Sequence, residues 1–230
     1  MKELYTLVKT DLRNILKHKF TWVYIIFMFL IVGIKCPIKL YNGDLSILFM
    51  TFNTQMMDIF FSLPLLMAVT MNDSTMKFIP NVLIVKLENR KLFFLSQSIA
   101  YFCLTMIIML LGNLKVIILT EIYSGNYAWL YFFRYLGIFS MRLFFCITFI
   151  IFLWVMLRKF ILVLITFLII TFTSINISKP IFSIGFISGV FNKILLYNDK
   201  SIWIGGIIHI VLGIIVIAIS INKYDKKLEV

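Results

Sequence analysis

Residues 92–119 read LFFLSQSIAYFCLTMIIMLLGNLKVIIL. Lys115, near the end of the run, is the single charge in it. A bilayer core about 30 Å thick is crossed by about 20 mostly apolar residues rising about 1.5 Å each. The run is long enough to span, and it sets the scale for the rest of the chain. Five further apolar runs cover residues 20–34, 45–71, 133–156, 160–175 and 202–221. The runs at 20–34 and 160–175 are slightly short, so flanking residues or local thinning must help their ends. The expected fold is an all-α membrane protein with six transmembrane helices filling residues 20–221.

Composition agrees. The chain has 230 residues, 62% of them hydrophobic and 14% charged, more apolar surface than a soluble core of this size needs. Ten Gly and four Pro exclude collagen-like and disordered classes. No hydrophilic stretch is long enough for a second domain. The start reads as a retained helix rather than a cleaved signal, because residues 1–19 are long and structured and no small-x-small site follows the first run. Cys36, Cys103 and Cys146 have no paired spacing and read as small buried hydrophobes.

The net charge is +12. With the N-terminus in the cytoplasm, most basic residues fall on that side: Lys2, Lys9, Arg13, Lys17 and Lys19; Lys77, Lys86, Arg90 and Lys91; Arg158 and Lys159; Lys223, Lys226 and Lys227. The bias predicts both termini inside, with residues 222–230 a cytoplasmic tail. Trp22, Trp129, Tyr131, Trp154 and Trp203 lie near run ends, where amphipathic rings prefer the headgroup level. The basic patches are short and juxtamembrane, so anionic lipid, not nucleic acid, is the expected partner.

Three segments are not spans. In residues 1–19, Leu4, Leu7, Val8, Leu12, Ile15 and Leu16 recur at helical spacing, with Lys2, Lys9, Arg13, Asn14 and Lys17 on other faces. This predicts an amphipathic helix in the membrane interface, an elbow leading into the first span. Residues 72–91 join spans two and three and carry their own helical pattern. Asp73 or Ser74 caps the start, Pro80 belongs near the first turn, and Phe78, Val82 and Val85 recur with Ile79 and Leu83 beside them. Residues 176–201 are apolar but broken by Pro180, Gly185 and Gly189, which predicts short re-entrant or interfacial segments on the outer side.

Charges within spans are costly. Asp58 and Arg142 lie at similar depth, each roughly 20 Å from the inner face at about 1.5 Å per residue, and are candidates for an intramembrane pair. Pro64 is expected to kink its span. Enzyme signatures are missing. There is no G-x-x-x-x-G-K-[ST], no H-E-x-x-H and no G-x-S-x-G. His18 and His209 are far apart, and His209 in an apolar helix reads as a packed residue. Polar residues in the spans are too sparse for a membrane-embedded enzyme.

This layout resembles the ABC-2 type membrane subunits of ATP-binding cassette exporters. The resemblance covers the whole chain as an amphipathic elbow, six spans, a cytoplasmic helix after span two and hydrophobic helices before span six. Locally it lies in Asn72-Asp73 and in Glu88-Asn89-Arg90-Lys91-Leu92-Phe93-Phe94. Members commonly have an acidic pair after span two and a Pro-x-Ser-Arg-type turn before span three. Here Asn72 stands for the first acid and Glu88-Asn89 replaces Pro-Ser. Size and composition are similar to small Gram-positive peptide exporters of the bacteriocin-immunity and phenol-soluble-modulin type.

The resemblance implies a multi-pass protein of the bacterial cytoplasmic membrane. It would work as two permease copies, or a copy and a paralogue, with two ATPase chains that hold ATP and Mg; this chain would hold no cofactor or metal and catalyse nothing itself. Asp73, Phe78, Ile79, Val82, Leu83, Glu88 and Arg90 would form the ATPase-coupling segment. A secondary transporter or channel working without ATP is the alternative; it calls for polar or broken spans near the midplane, and only Asp58, Pro64 and Arg142 qualify, while a membrane-embedded enzyme is the least favoured.

Overall fold

The computed structural model describes residues 2–35, 59, 62–71, 91–124, 128–157, 159, 161–167 and 200–228. All seven elements among them are helices: α1 (Lys2–Lys17), α2 (Lys19–Lys35), α3 (Ser62–Met71), α4 (Lys91–Ser124), α5 (Ala128–Leu157), α6 (161–167) and α7 (Lys200–Leu228). Two stretches, Leu92–Leu114 of 23 residues and Phe139–Leu157 of 19, are long and apolar enough to cross a membrane. The described apolar parts of α2, α3 and α7 are shorter. Residue 58, residues 72–90 and residues 168–199 lie outside the described set. With them lie Asp58, the coupling segment, most of the outer segment and the part of span two on which a kink at Pro64 depends.

Where apolar runs and helices can be compared, the helices are longer. α4 continues past the apolar run through Glu121-Ile122-Tyr123-Ser124, because no breaker interrupts it before Gly125. At about 1.5 Å per residue its 34 residues make a rod about 50 Å long. α7 likewise runs through most of the expected tail, since Asn222-Lys223-Tyr224-Asp225-Lys226-Lys227 contains neither Gly nor Pro.

α4 is the hub and touches α1, α2, α5 and α7. Its inward side supplies Phe94, Tyr101, Leu104 and Ile108, which meet Tyr24 and Met28 of α2, Leu63 and Met67 of α3, and Phe139, Leu143 and Ile150 of α5 in one core. Cys146 is buried there and Cys103 half-buried, as small apolar side chains.

The opposite faces are apolar as well. Ile107, Leu111, Leu114, Ile118 and Ile122 recur every three or four residues along α4 and are 42–70% exposed. Ile204, Ile207, Ile208, Val211, Ile214, Ile215 and Ile219 form a similar exposed face on α7, and Val23, Ile26, Phe27 and Leu30 on α2. A soluble monomer rarely exposes contiguous apolar patches beyond a few hundred Å². Helices apolar on both faces suit a surrounding solvent of hydrocarbon.

Among the described helices, the α5–α7 pair makes the most extensive contact. Gly206, Gly213 and buried Ser220 recur every seven residues on α7, which lets the backbones approach. His209, 7% exposed, lies in the same seam with its ring edge-on to Phe145 at 5.3 Å, a packed residue as its setting suggested. The two glycines differ in what faces them. A Cβ on Gly206 would come within 2.6 Å of Met141 Sδ, the end of a flexible chain that can turn away. A Cβ on Gly213 would meet Phe144 Cε1 at 2.9 Å and Thr148 Oγ1 at 3.3 Å, and a ring has nowhere comparable to go. Gly213→Ala is therefore expected to destabilise the protein by about 1–3 kcal/mol. For Gly206→Ala, a helix-propensity gain of up to about 1 kcal/mol offsets the adjustment. Thermal unfolding in detergent measures both, and the reverse order would remove this account of the seam.

Candidate functional site

Asp73, Phe78, Ile79, Val82, Leu83, Glu88 and Arg90, expected from the sequence to couple to an ATPase, lie outside the described residues, as does Asp58. Arg142 is described. It sits midway along α5, is 7% exposed and is engaged by other groups of the protein. What the structure brings together instead is a joint between α1, the bend after it, and the first turns of α4.

The bend is built from side chains. The helix α1 ends at Lys17 and α2 starts at Lys19, with His18 between them. A helix end leaves carbonyls without intrahelical donors and a helix start leaves N–H groups without acceptors. Here each finds a partner across the bend. The Ile15 carbonyl accepts from His18 N at 3.2 Å and from Thr21 Oγ1 at 2.6 Å. The Leu16 carbonyl accepts from Trp22 Nε1 at 2.8 Å. On the other side, Phe20 N donates to His18 Nδ1 at 3.2 Å and Thr21 N to the His18 carbonyl at 3.0 Å. His18 thus caps α2 while two α2 side chains cap α1. The geometry of the bend between α1 and α2 is thus specified rather than loose.

One side of α1 faces the protein. Ile15 is 1% exposed, and Leu4, Leu7 and Asp11 on the same side are half-buried. An acid in an apolar stripe needs a partner, and Ser96 in the second turn of α4 provides one: its Oγ lies 2.7 Å from Asp11 Oδ2 and 2.9 Å from the Phe93 carbonyl. Ser96 has one proton for two acceptors. If Asp11 is ionised, Ser96 turns to it and releases the Phe93 carbonyl. If Asp11 is protonated, the carboxyl donates to Ser96 Oγ, Ser96 donates to Phe93, and all are satisfied. Burial raises the Asp11 carboxyl from its ordinary 3.8 to about 6, with the Ser96 hydrogen bond holding it down in part.

Further polar groups line the helix interfaces nearby. Tyr101 shares a 2.6 Å hydrogen bond with Thr70 of α3, whose Oγ1 also lies 2.8 Å from the Leu66 carbonyl. Ser62 donates to Tyr24 at 3.3 Å, tying α3 to α2. Asn14 Nδ2 and Gln97 Oε1 are buried and make no hydrogen bond among the described residues. A group of this kind costs about 1–3 kcal/mol. The α1–α4 joint is thus polar and incompletely satisfied, whereas the α5–α7 seam is close-packed.

The raised Asp11 value fixes the sign of a pH effect. Between 3.8 and about 6 the unfolded chain is ionised while the docked carboxyl still holds its proton. Docking of α1 is strongest at acid pH, weakens as pH rises through that window and is level above it. Asp11→Asn keeps an acceptor for Ser96 and removes the charge. It is expected to strengthen α1 docking above pH 6 by up to about 2 kcal/mol and to flatten the profile. Hydrogen exchange of α1 amides at several pH values measures this; a flat profile in the wild-type protein would rule it out.

Asp11 was legible in principle, since it stands four residues from both Leu7 and Ile15 on the apolar side of α1. Ser96, Gln97 and Ser98 are likewise the polar cluster within the run 92–119. No family model, no curated protein and no solved structure matches the chain.

Proposed function

We propose that this chain is the membrane-spanning subunit of an ATP-binding cassette exporter of the ABC-2 type. It has six spans with both ends in the cytoplasm of a bacterial cell. A separate ATPase binds ATP and Mg, and a second permease copy or paralogue completes the path. The substrate is hydrophobic or amphipathic, a peptide by resemblance, and moves outward. The chain itself holds no cofactor and does no chemistry.

The observation that supports this best is the docking of α1 on the second turn of α4 through Asp11 and Ser96. α4 begins at Lys91, directly after residues 72–90. A force applied to that segment enters the protein at the end of the longest helix, where the elbow is also seated. ATPase motion could then be passed to α4 and to α1–α2 together, a rigid-body switch of the kind helices transmit well. The polar joint suits a contact that must be remade in each cycle.

The buried Arg142 favours the second reading, an ATP-independent transporter or channel, because intramembrane charges mark ion and substrate paths. One experiment separates the two. The purified chain is expected to hydrolyse no ATP, and adding the cognate ATPase is expected to give a stable complex in detergent with ATP-driven transport in proteoliposomes. Transport by the chain alone under an ion gradient would sink the exporter reading.

A further inference from the structure

A second side of the helix α1 is apolar and only partly covered: Val8 and Leu12 are half-buried, Tyr5 and Leu16 exposed. There the side chains of α1 form a shallow, open groove of about 560 Å³, with Tyr5, Val8, Leu12 and Leu16 along it and Lys9, Arg13 and Lys17 at its edge. Tyr5 is 70% exposed and Leu16 36%, and the three basic residues are exposed. Their four-residue spacing aligns them along the helix at about 6 Å intervals. Among the described residues no acid lines the groove: Asp11 is turned to Ser96. The side chain order around α1 therefore runs from protein contact, through an apolar band, to a cationic rim.

The apolar band does not stop at the bend. The Leu16 carbonyl holds the indole N–H of Trp22 at 2.8 Å, and Trp22 is 54% exposed. From Trp22 the surface passes to Val23, Ile26 and Phe27 on the open side of α2. One continuous surface thus offers three cations, then a short apolar trough, then an amphipathic ring, then aliphatic side chains. An acidic protein would match the rim but leave the trough and the α2 face uncovered. A lipid with a negative headgroup matches the whole sequence of chemistries in order.

We infer that this groove binds an anionic phospholipid, its phosphate held by Lys9, Arg13 and Lys17 and one acyl chain running past Leu16 and Trp22 along α2. The inference rests on the reading of α2 as a span and of α1 as interfacial. The bound lipid fills the partly covered side of α1 and seats the elbow at the membrane surface.

The test uses the full chain in a non-ionic detergent, titrated with phosphatidylglycerol or with phosphatidylcholine of the same acyl chains brominated to quench tryptophan. Trp129, Trp154 and Trp203 are replaced by Phe so that Trp22 reports. Phosphatidylglycerol is expected to quench at lower concentration than phosphatidylcholine, and raising salt should erase the difference. A basic residue near an anionic surface strengthens binding about fivefold, so Lys9→Gln/Arg13→Gln/Lys17→Gln should weaken phosphatidylglycerol on the order of 100-fold. Lys223→Gln/Lys226→Gln/Lys227→Gln, with equal loss of charge, should leave it unchanged.

Equal quenching by the two lipids, or a change below about threefold in the first triple variant, overturns the inference. So does a triple variant that keeps its lipid but no longer copurifies with the ATPase, which would give the rim to a protein partner. If the variant fails to fold, the salt series on the Trp22 protein decides alone. Release of the wild-type chain from membranes by alkaline carbonate would instead refute the membrane reading itself.

Discussion

Phe78→Asp and Val82→Asp, each made singly, are expected to reduce transport to background while the chain still inserts and the ATPase still turns over. Both residues lie on the apolar face of the helical pattern at residues 75–87. An amphipathic helix docks such a face in a partner's groove. A carboxylate placed there must be desolvated without a partner, at a cost of several kcal/mol. That exceeds what a transient docking contact can absorb, so the effect on coupling should be near complete. Transport and hydrolysis measured side by side in proteoliposomes distinguish this from misfolding. Normal transport by both variants would remove the coupling assignment, and α4 would have to receive its input elsewhere.

The largest stability effects are expected from Asp58 and Arg142. Arg142 is 7% exposed in the middle of a 30-residue apolar helix. If its charge is balanced by Asp58, removing one member strands the other, at about 3–5 kcal/mol by the precedent of buried pairs. Asp58→Asn and Arg142→Gln should each lower yield and thermal stability, and the double variant should recover part of the loss. Strictly additive losses would mean that the two groups serve separate roles. Ile59, next to Asp58 in sequence, is fully buried.

Helices were more readable from the sequence than the faces they present. The apolar runs located α2, α4, α5 and α7, because each run is longer than a strand and holds no proline. Their ends were less readable, since Glu121 in α4 and Lys223 in α7 mark the end of an apolar run but not of a helix. The amphipathic spacing of residues 1–19 gave α1. The same spacing puts Asp11 between Leu7 and Ile15 on the apolar side, but does not give its partner Ser96, which lies 85 residues away in the chain. The Gly206–Gly213 seam was also hidden: a seven-residue interval of small residues matters only when another helix lies against it. Nor did periodicity show that His18, Thr21 and Trp22 would exchange hydrogen bonds with the end of α1. That depends on bend geometry, not on any face.

The bend at His18 has a consequence for what lengths of chain the elbow can tolerate. Surface connections normally accept insertions, because nothing on either side depends on the number of residues between. Here the Ile15 and Leu16 carbonyls take their donors from Thr21 and Trp22, both six residues further on. One added residue would rotate α2 by about 100° relative to α1. Tyr24 and Met28 would swing out of the core and an outward-facing pair would swing in. The azimuth of α2 is thus indexed to the helix before it, as a keyed shaft is to its collar. Any turning of α1 on α4 is handed to α2 at a fixed angle, with no slack at the junction to absorb it.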